Sequence, residues 1–78
     1  MDSREMEKAH EKMAIYLHDH VKEGALKDKL HDQLIWLKYQ IHYYSKGSDQ
    51  ETLQENFEWV LDNFKHDLHS DFDWIIKK

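Results

Sequence analysis

Apolar residues in this 78-residue chain recur every three or four positions, and in no stretch do they alternate by two. Between residues 26 and 44 one such set falls on a single stripe at about 100° per residue: Leu26, Leu30, Leu34, Leu37, Ile41 and Tyr44. Because a half-buried strand requires a period of two, the pattern predicts an all-α protein. The central stretch is predicted to be the helix on which the others pack.

Two further stretches show the same period. The first can be capped by Asp2 or Ser3, and its stripe is Met6, Ala9, Met13, Leu17 and Val21. The stripe of the last is Leu53, Phe57, Val60, Leu61, Phe64, Leu68, Phe72 and Ile75. Gly24 and Lys46-Gly47 are predicted to end the first two helices, and Ser48 with Glu51 forms a predicted capping box for the third. The predicted helices span residues 3–23, 26–45 and 49–76.

Connections this short make consecutive helices antiparallel neighbours, so the predicted fold is a single domain over residues 1–78, an up-down-up three-helix bundle. The alternative is a helical hairpin that pairs with a second copy into a dimeric bundle. A chain of this size buries only about 60% of its unfolded surface. Help from a partner or from self-association, such as a homodimer, is therefore expected.

Several classes of function are disfavoured by what the sequence lacks. It contains no cysteine, no glycine-rich phosphate loop and no serine in a nucleophile elbow, so we expect neither an enzyme nor a bound cofactor. No apolar run resembles a signal peptide or approaches the roughly 18 residues of a membrane span. We expect a cytoplasmic protein that does not associate with membranes.

Charge is distributed unevenly along the chain. Residues 1–48 hold eight acidic and eight basic side chains, whereas residues 49–78 hold eight acidic and three basic ones, for a net charge of −5. Such a surface repels phosphate, which argues against direct nucleic-acid binding and favours a basic protein partner. One alternative is an acidic mimic of nucleic acid that occupies a DNA-binding protein through Glu55, Glu58, Asp62, Asp67, Asp71 and Asp73.

A second face of the central helix is aromatic. Trp36, Tyr39 and Tyr43 lie opposite the leucine stripe, and Trp59 lies off the main stripe of the third helix. Tyrosine and tryptophan are enriched in interface hot spots, so these four residues, with Asp62, are the predicted partner-binding set. The alternative is that the rings are ordinary core, since the middle helix of a bundle is buried on two sides.

The chain contains seven histidines. Asp62, His66, His69 and Asp73 fall on one side of the predicted third helix, the spacing at which side chains can share a divalent ion, which makes a metal-binding protein another alternative. This face is opposite the apolar stripe and lacks the His-Glu-x-x-His pattern, so no metal site is predicted. The combined prediction is a small non-enzymatic helical protein that acts by protein–protein interaction, as an adaptor, inhibitor or regulator.

Overall fold

The computed structural model describes residues 2–44, 47 and 49–76, which form four helices and no strand. The long helices are α1 (Ser3–His20), α2 (Ala25–Tyr44) and α3 (Gln50–Leu68), and a single-turn helix α4 spans Asp73–Ile76. Helix α2 packs against both α1 and α3. The predicted all-α three-helix bundle is thus confirmed.

Side-chain contacts show that α1 and α2 are antiparallel. The Nε2 of His10 donates a hydrogen bond to the carbonyl oxygen of Leu34 at 2.7 Å. The Nζ of Lys27 donates to the carbonyl oxygen of His18 at 3.4 Å. The contacts therefore run in opposite order along the two helices, as the short connection between them predicts.

Helices α2 and α3 are related in the same way. The Nζ of Lys29 lies 2.9 Å from Asp67 Oδ2 near one end of the pair. Towards the other end, the Nδ2 of Asn56 donates to Gln40 Oε1 at 3.2 Å. These two polar contacts fix the register between the helices, and hence which of their outward side chains become neighbours.

The core consists of apolar side chains from all four helices, and no polar side chain of the described residues is buried with them. It contains most of the predicted stripes. Of the other stripe residues, Leu26 is 40% exposed in the first turn of α2, and Val21, Tyr44 and Leu68 are only partly buried against the core. The buried residues are Met6, Ala9, Met13, Leu17, Leu30, Leu34, Leu37, Ile41, Leu53, Phe57, Val60, Leu61, Phe64, Phe72 and Ile75.

The turn between α1 and α2 differs from the prediction. Helix α1 ends at His20, and Val21 is already extended with φ −105°. Gly24, predicted as the residue that ends the first helix, instead precedes α2 with φ 158°, and its carbonyl oxygen accepts the first hydrogen bond of α2 from the Asp28 N–H at 3.1 Å. Gly24 is therefore the N-cap residue of the second helix, which itself begins at Ala25.

The cap of α3 is also shifted by one residue. The backbone N–H of Thr52 donates to Asp49 Oδ1 at 3.0 Å, and the Thr52 hydroxyl donates to Asp49 Oδ2 at 2.7 Å. Asp49 is therefore the N-cap in the structure, whereas the predicted capping residue Ser48 lies outside the described residues. Both hydrogen bonds stabilise the carboxylate and lower the pKa of Asp49.

The third helix is shorter than predicted, and the bound of residue 76 was wrong. Helix α3 ends at Leu68, and His69 adopts the left-handed conformation with φ 54°. Because Lys29 meets Asp67 only one turn from the start of α2, a continuous helix would have extended past the end of its neighbour. Phe72 and Ile75 would then lack core contacts, so the chain turns back and forms α4 instead.

The returned segment packs on α1. The ring of Phe72 lies 4.8 Å from the ring of Tyr16 and 5.0 Å from that of Phe64, both in edge-to-face geometry. On the outside, the Nζ of Lys12 donates to the carbonyl oxygens of Trp74 and Ile75, each at 3.4 Å. Residues 72–76 thus close the end of the bundle.

His69 occupies a position that favours glycine. Its N–H donates to the His66 carbonyl at 3.4 Å and the Ser70 N–H donates to the Lys65 carbonyl at 3.1 Å, the bonding pattern of a Schellman motif with His69 at C′. Replacing His69 with glycine should relieve the left-handed strain and raise the free energy of unfolding by about 0.5–1 kcal/mol in urea denaturation. Ser70→Gly, at a residue without positive φ, should give no such gain; equal effects of the two changes would refute this explanation.

Candidate binding surface

The outer face of α2 carries large side chains that no other helix covers. Tyr39 and Tyr43 are 70% and 72% exposed, and Trp36 is 39% exposed. Ile35, next to Trp36 in sequence, is also exposed and extends this face towards α1. The alternative that these rings are core is wrong, because α1 and α3 cover the two flanks of α2 and leave the side between them open.

Trp59 of α3 joins this face across the seam between the two helices. Its ring centroid lies 5.9 Å from that of Trp36, with the ring planes at 80° to one another. Such edge-to-face pairs contribute about 0.5–1.5 kcal/mol beyond the area they bury. We refer to Trp36, Tyr39, Tyr43 and Trp59 together as the aromatic surface.

The two tryptophans border an open groove of about 450 Å³ between α2 and α3, whose other lining residues are Asp32 and Gln33. The carboxylate of Asp32 has no partner among the described residues. The Oε1 of Gln33 is buried and likewise has no hydrogen-bond donor in the described part of the chain. The groove therefore combines aromatic walls with one exposed carboxylate, that of Asp32, which has no partner among the described residues.

The remaining predicted contact residue, Asp62, is exposed on α3, one turn beyond Trp59. It lines a separate shallow groove with Lys65, His66 and His69, and it is not among the residues around Trp36 and Trp59. Asp67, one of the acidic residues of the proposed nucleic-acid mimic, does not contribute a free charge to this side of the helix. Its side chain is largely buried against Lys29 and His66.

These contacts perturb the ionisation of Asp67. The hydrogen bond from Lys29, and then that from His66, hold the pKa of Asp67 below its ordinary value. Because the pKa is lower in the folded than in the unfolded chain, the pair stabilises the fold above the unfolded pKa of about 4. That stabilisation disappears as the pH falls through the lower folded value.

The melting temperature of Asp67→Asn is expected to fall less with decreasing pH than that of the wild type. The variant should melt at a lower temperature than the wild type at neutral pH, and the difference should shrink as the pH is lowered below about 4. Thermal melts over a pH series measure it. Asp28→Asn, an exposed carboxylate on α2 with no side-chain partner among the described residues, is the control; an identical pH profile for both variants would show that the Lys29 contact does not contribute.

The residues of the metal alternative do not share one helical face. Asp62 and His66 are in α3, but His69 lies in the left-handed turn after it and Asp73 in α4. His66 Nδ1 is instead 3.3 Å from Asp67 Oδ1. Within residues 2–44, 47 and 49–76, no three histidine or carboxylate side chains come together in an arrangement that could hold a metal ion. The prediction that all four lie on one side of the third helix was wrong, because that helix ends at Leu68 and Asp73 belongs to α4. Asp62, His66 and His69 nevertheless line one shallow groove.

Sequence reasoning did not identify the groove. The sequence pattern assigns Trp36 and Trp59 to one predicted partner-binding set but does not predict that their rings meet, and it singles out neither Asp32 nor Gln33. The signal that would have paired them is the antiparallel register of α2 and α3, in which residues equally distant from the connecting turn face each other. Predicting that register requires the geometry of the turn between the helices as well as the apolar periodicity.

No family model, curated protein or solved structure matches this chain. In the described part of the chain, none of the helices combines the length and the apolar character needed to cross a membrane. Inference about function therefore starts from the geometry of the aromatic surface.

Proposed function

We propose that this chain is a protein-binding module that recognises another protein through the aromatic surface, without catalysing a reaction. The observation that carries the proposal is the exposure of Trp36, Tyr39, Tyr43 and Trp59 on one continuous side of the bundle. Contiguous exposed aromatic residues on a small protein are typical of interaction sites.

The supporting argument is energetic. Among the residues that the structure describes, fifteen apolar side chains are already buried in the core, so the fold does not need these four rings for its interior. Covering these rings with a partner would contribute about 25 cal/mol for each Å² of apolar area removed from water, and this free energy is not gained while the rings are exposed. Their ring bodies can be buried in a contact while the phenol and indole groups find hydrogen bonds, as at other interfaces.

The scaffold also favours recognition. All four residues lie on α2 and α3, whose spacing is fixed by the Lys29–Asp67 and Gln40–Asn56 contacts. Side chains on rigid helices lose little further conformational entropy when a partner binds.

Site-specific photo-cross-linking in cells tests the proposal. Replacing Tyr39 with the photoreactive amino acid p-benzoylphenylalanine keeps an aromatic side chain at the centre of the surface. Ile15, an exposed apolar residue on the outer side of α1, is the matched control position. We expect a discrete adduct from position 39 and none of the same mass from position 15; an adduct of twice the chain mass would identify the partner as a second copy. The absence of an adduct at position 39, or the same adducts at both positions, would overturn the proposal.

A further inference from the structure

The groove beside Trp36 and Trp59 has a composition that selects among ligands. The two ring planes meet at 80°, so the indoles form two walls of a corner rather than a flat stack. Asp32 and Gln33 complete the lining and bring a carboxylate and an amide oxygen. The Asp32 carboxylate is exposed and has no donor within the described residues, whereas the Oε1 of Gln33 is itself buried and does not face the solvent.

A cationic donor suits both the two indole walls and the exposed Asp32 carboxylate. The face of an indole attracts a cation within about 6 Å of its centroid, and tryptophan is the strongest of the aromatic side chains in this respect. The guanidinium of arginine is planar, carries five N–H donors and can stack on an aromatic face while donating two parallel hydrogen bonds to one carboxylate. A neutral apolar group in the groove would instead desolvate the Asp32 carboxylate without compensation.

The surrounding charges favour the same occupant. The nearest cation along α2, Lys29, is held by Asp67 at 2.9 Å and does not neutralise Asp32. Asp28 lies one turn before Asp32 on the same helix, and Asp62 lies one turn after Trp59 on α3. The chain as a whole carries a net charge of −5, with eight acidic and three basic side chains in residues 49–78, so its overall charge favours a basic segment.

We propose that the Asp32–Gln33–Trp36–Trp59 groove binds an arginine side chain presented by the partner protein, with the guanidinium against the indoles and paired to Asp32. This inference rests on the proposed function and adds the chemistry of the partner's contact residue. The rest of the aromatic surface, Tyr39 and Tyr43, then packs on the chain that flanks the arginine.

The probe is a short glycine–serine peptide with one central arginine, compared with the same peptide containing citrulline. Citrulline is nearly isosteric with arginine but uncharged, so it separates the cation from the shape. Binding is followed by the indole N–H resonances of the three tryptophans, of which Trp74 is an internal reference because it lies on α4 against α1. The arginine peptide should shift the Trp36 and Trp59 resonances in a saturable manner and leave that of Trp74 in place.

Two variants test the role of the carboxylate. Asp32→Asn should weaken binding of the arginine peptide about tenfold, because a charge-assisted pair becomes a neutral one. Asp28→Asn makes the same change of charge one turn away, outside the groove, and should alter the affinity less than about twofold, as expected for a screened surface charge. Both positions are exposed, so the variants are expected to fold.

Equal binding of the arginine and citrulline peptides would overturn this inference. The same holds if the arginine peptide does not shift the Trp36 and Trp59 resonances, or if Asp32→Asn and Asp28→Asn change its affinity equally. Each of these results would leave the photo-cross-linking test at Tyr39 unaffected. A groove that rejects arginine in a chain that still cross-links at Tyr39 would therefore refute the choice of ligand alone, whereas loss of the cross-link refutes the binding function itself.

Discussion

Replacing Phe64 with alanine is expected to lower the free energy of unfolding by about 3–5 kcal/mol. The side chain is fully buried on α3, and its ring contacts Phe72 at 5.0 Å and Tyr16 at 6.2 Å, so the change leaves a cavity where three helices meet. A small domain has only about 5 kcal/mol of stability at the low end of the usual range, so much of the variant should be unfolded at room temperature. Urea denaturation followed by circular dichroism measures the loss.

The control for this change is Tyr39→Ala, which also removes a large aromatic ring but from an exposed position on α2. It should alter the free energy of unfolding by no more than about 0.5 kcal/mol. If Phe64→Ala cost no more than Tyr39→Ala, the assignment of core and surface in this bundle would be wrong.

The second large effect is expected at Phe72. Alanine there should cost about 3 kcal/mol, because the buried ring is lost while the left-handed backbone at φ 51° keeps its strain. Among the helix pairs with substantial contact, α4 packs only on α1. Loss of the Phe72 ring should therefore first detach residues 72–76 from the bundle. The indole N–H resonance of Trp74 should then move to its unfolded position at denaturant concentrations where most of the helical signal remains.

Asp71→Ala is the matched control, since Asp71 precedes Phe72 and is exposed. It should leave both the Trp74 indole N–H resonance and the melting temperature nearly unchanged. A Phe72→Ala variant in which Trp74 and the helical signal change in one coincident transition would show that the C-terminal segment is an inseparable part of the bundle.

Much of the fold follows from local periodicity. Leu30, Leu34, Leu37 and Ile41 are buried because a period near 3.6 determines which side chains share a face, whatever the neighbours are. The same periodicity placed Trp36, Tyr39 and Tyr43 on another side of α2. It did not determine whether that side faces the third helix or water, because this depends on how far around α2 its neighbours pack.

The end of α3 could not be predicted in this way. The segment from Leu68 to Phe72 contains neither the glycine nor the proline that usually ends a helix, and the helical spacing of apolar residues continues through Phe72 and Ile75. The break arises from tertiary packing: α2 offers no further surface, whereas Tyr16 on α1 does. The contact between Trp36 and Trp59 likewise could not be predicted from the sequence, because it depends on the register between α2 and α3.

The central proposition is that the aromatic surface serves recognition and that the fold does not depend on it. Tyr39→Glu tests both parts, because a charge at an exposed position changes stability little, whereas in an apolar contact it must be desolvated without a partner. Ile15→Glu is the control, with the same new charge on another exposed apolar position.

The decisive measurement is how much of the partner identified by cross-linking at Tyr39 is retained by each variant, with circular dichroism recorded on the same samples. We expect both variants to keep the helical spectrum of the wild type, Ile15→Glu to retain the partner, and Tyr39→Glu to lose it. If Tyr39→Glu retained the partner as well as Ile15→Glu does, or if it unfolded, the aromatic surface would not be the recognition site proposed for this protein.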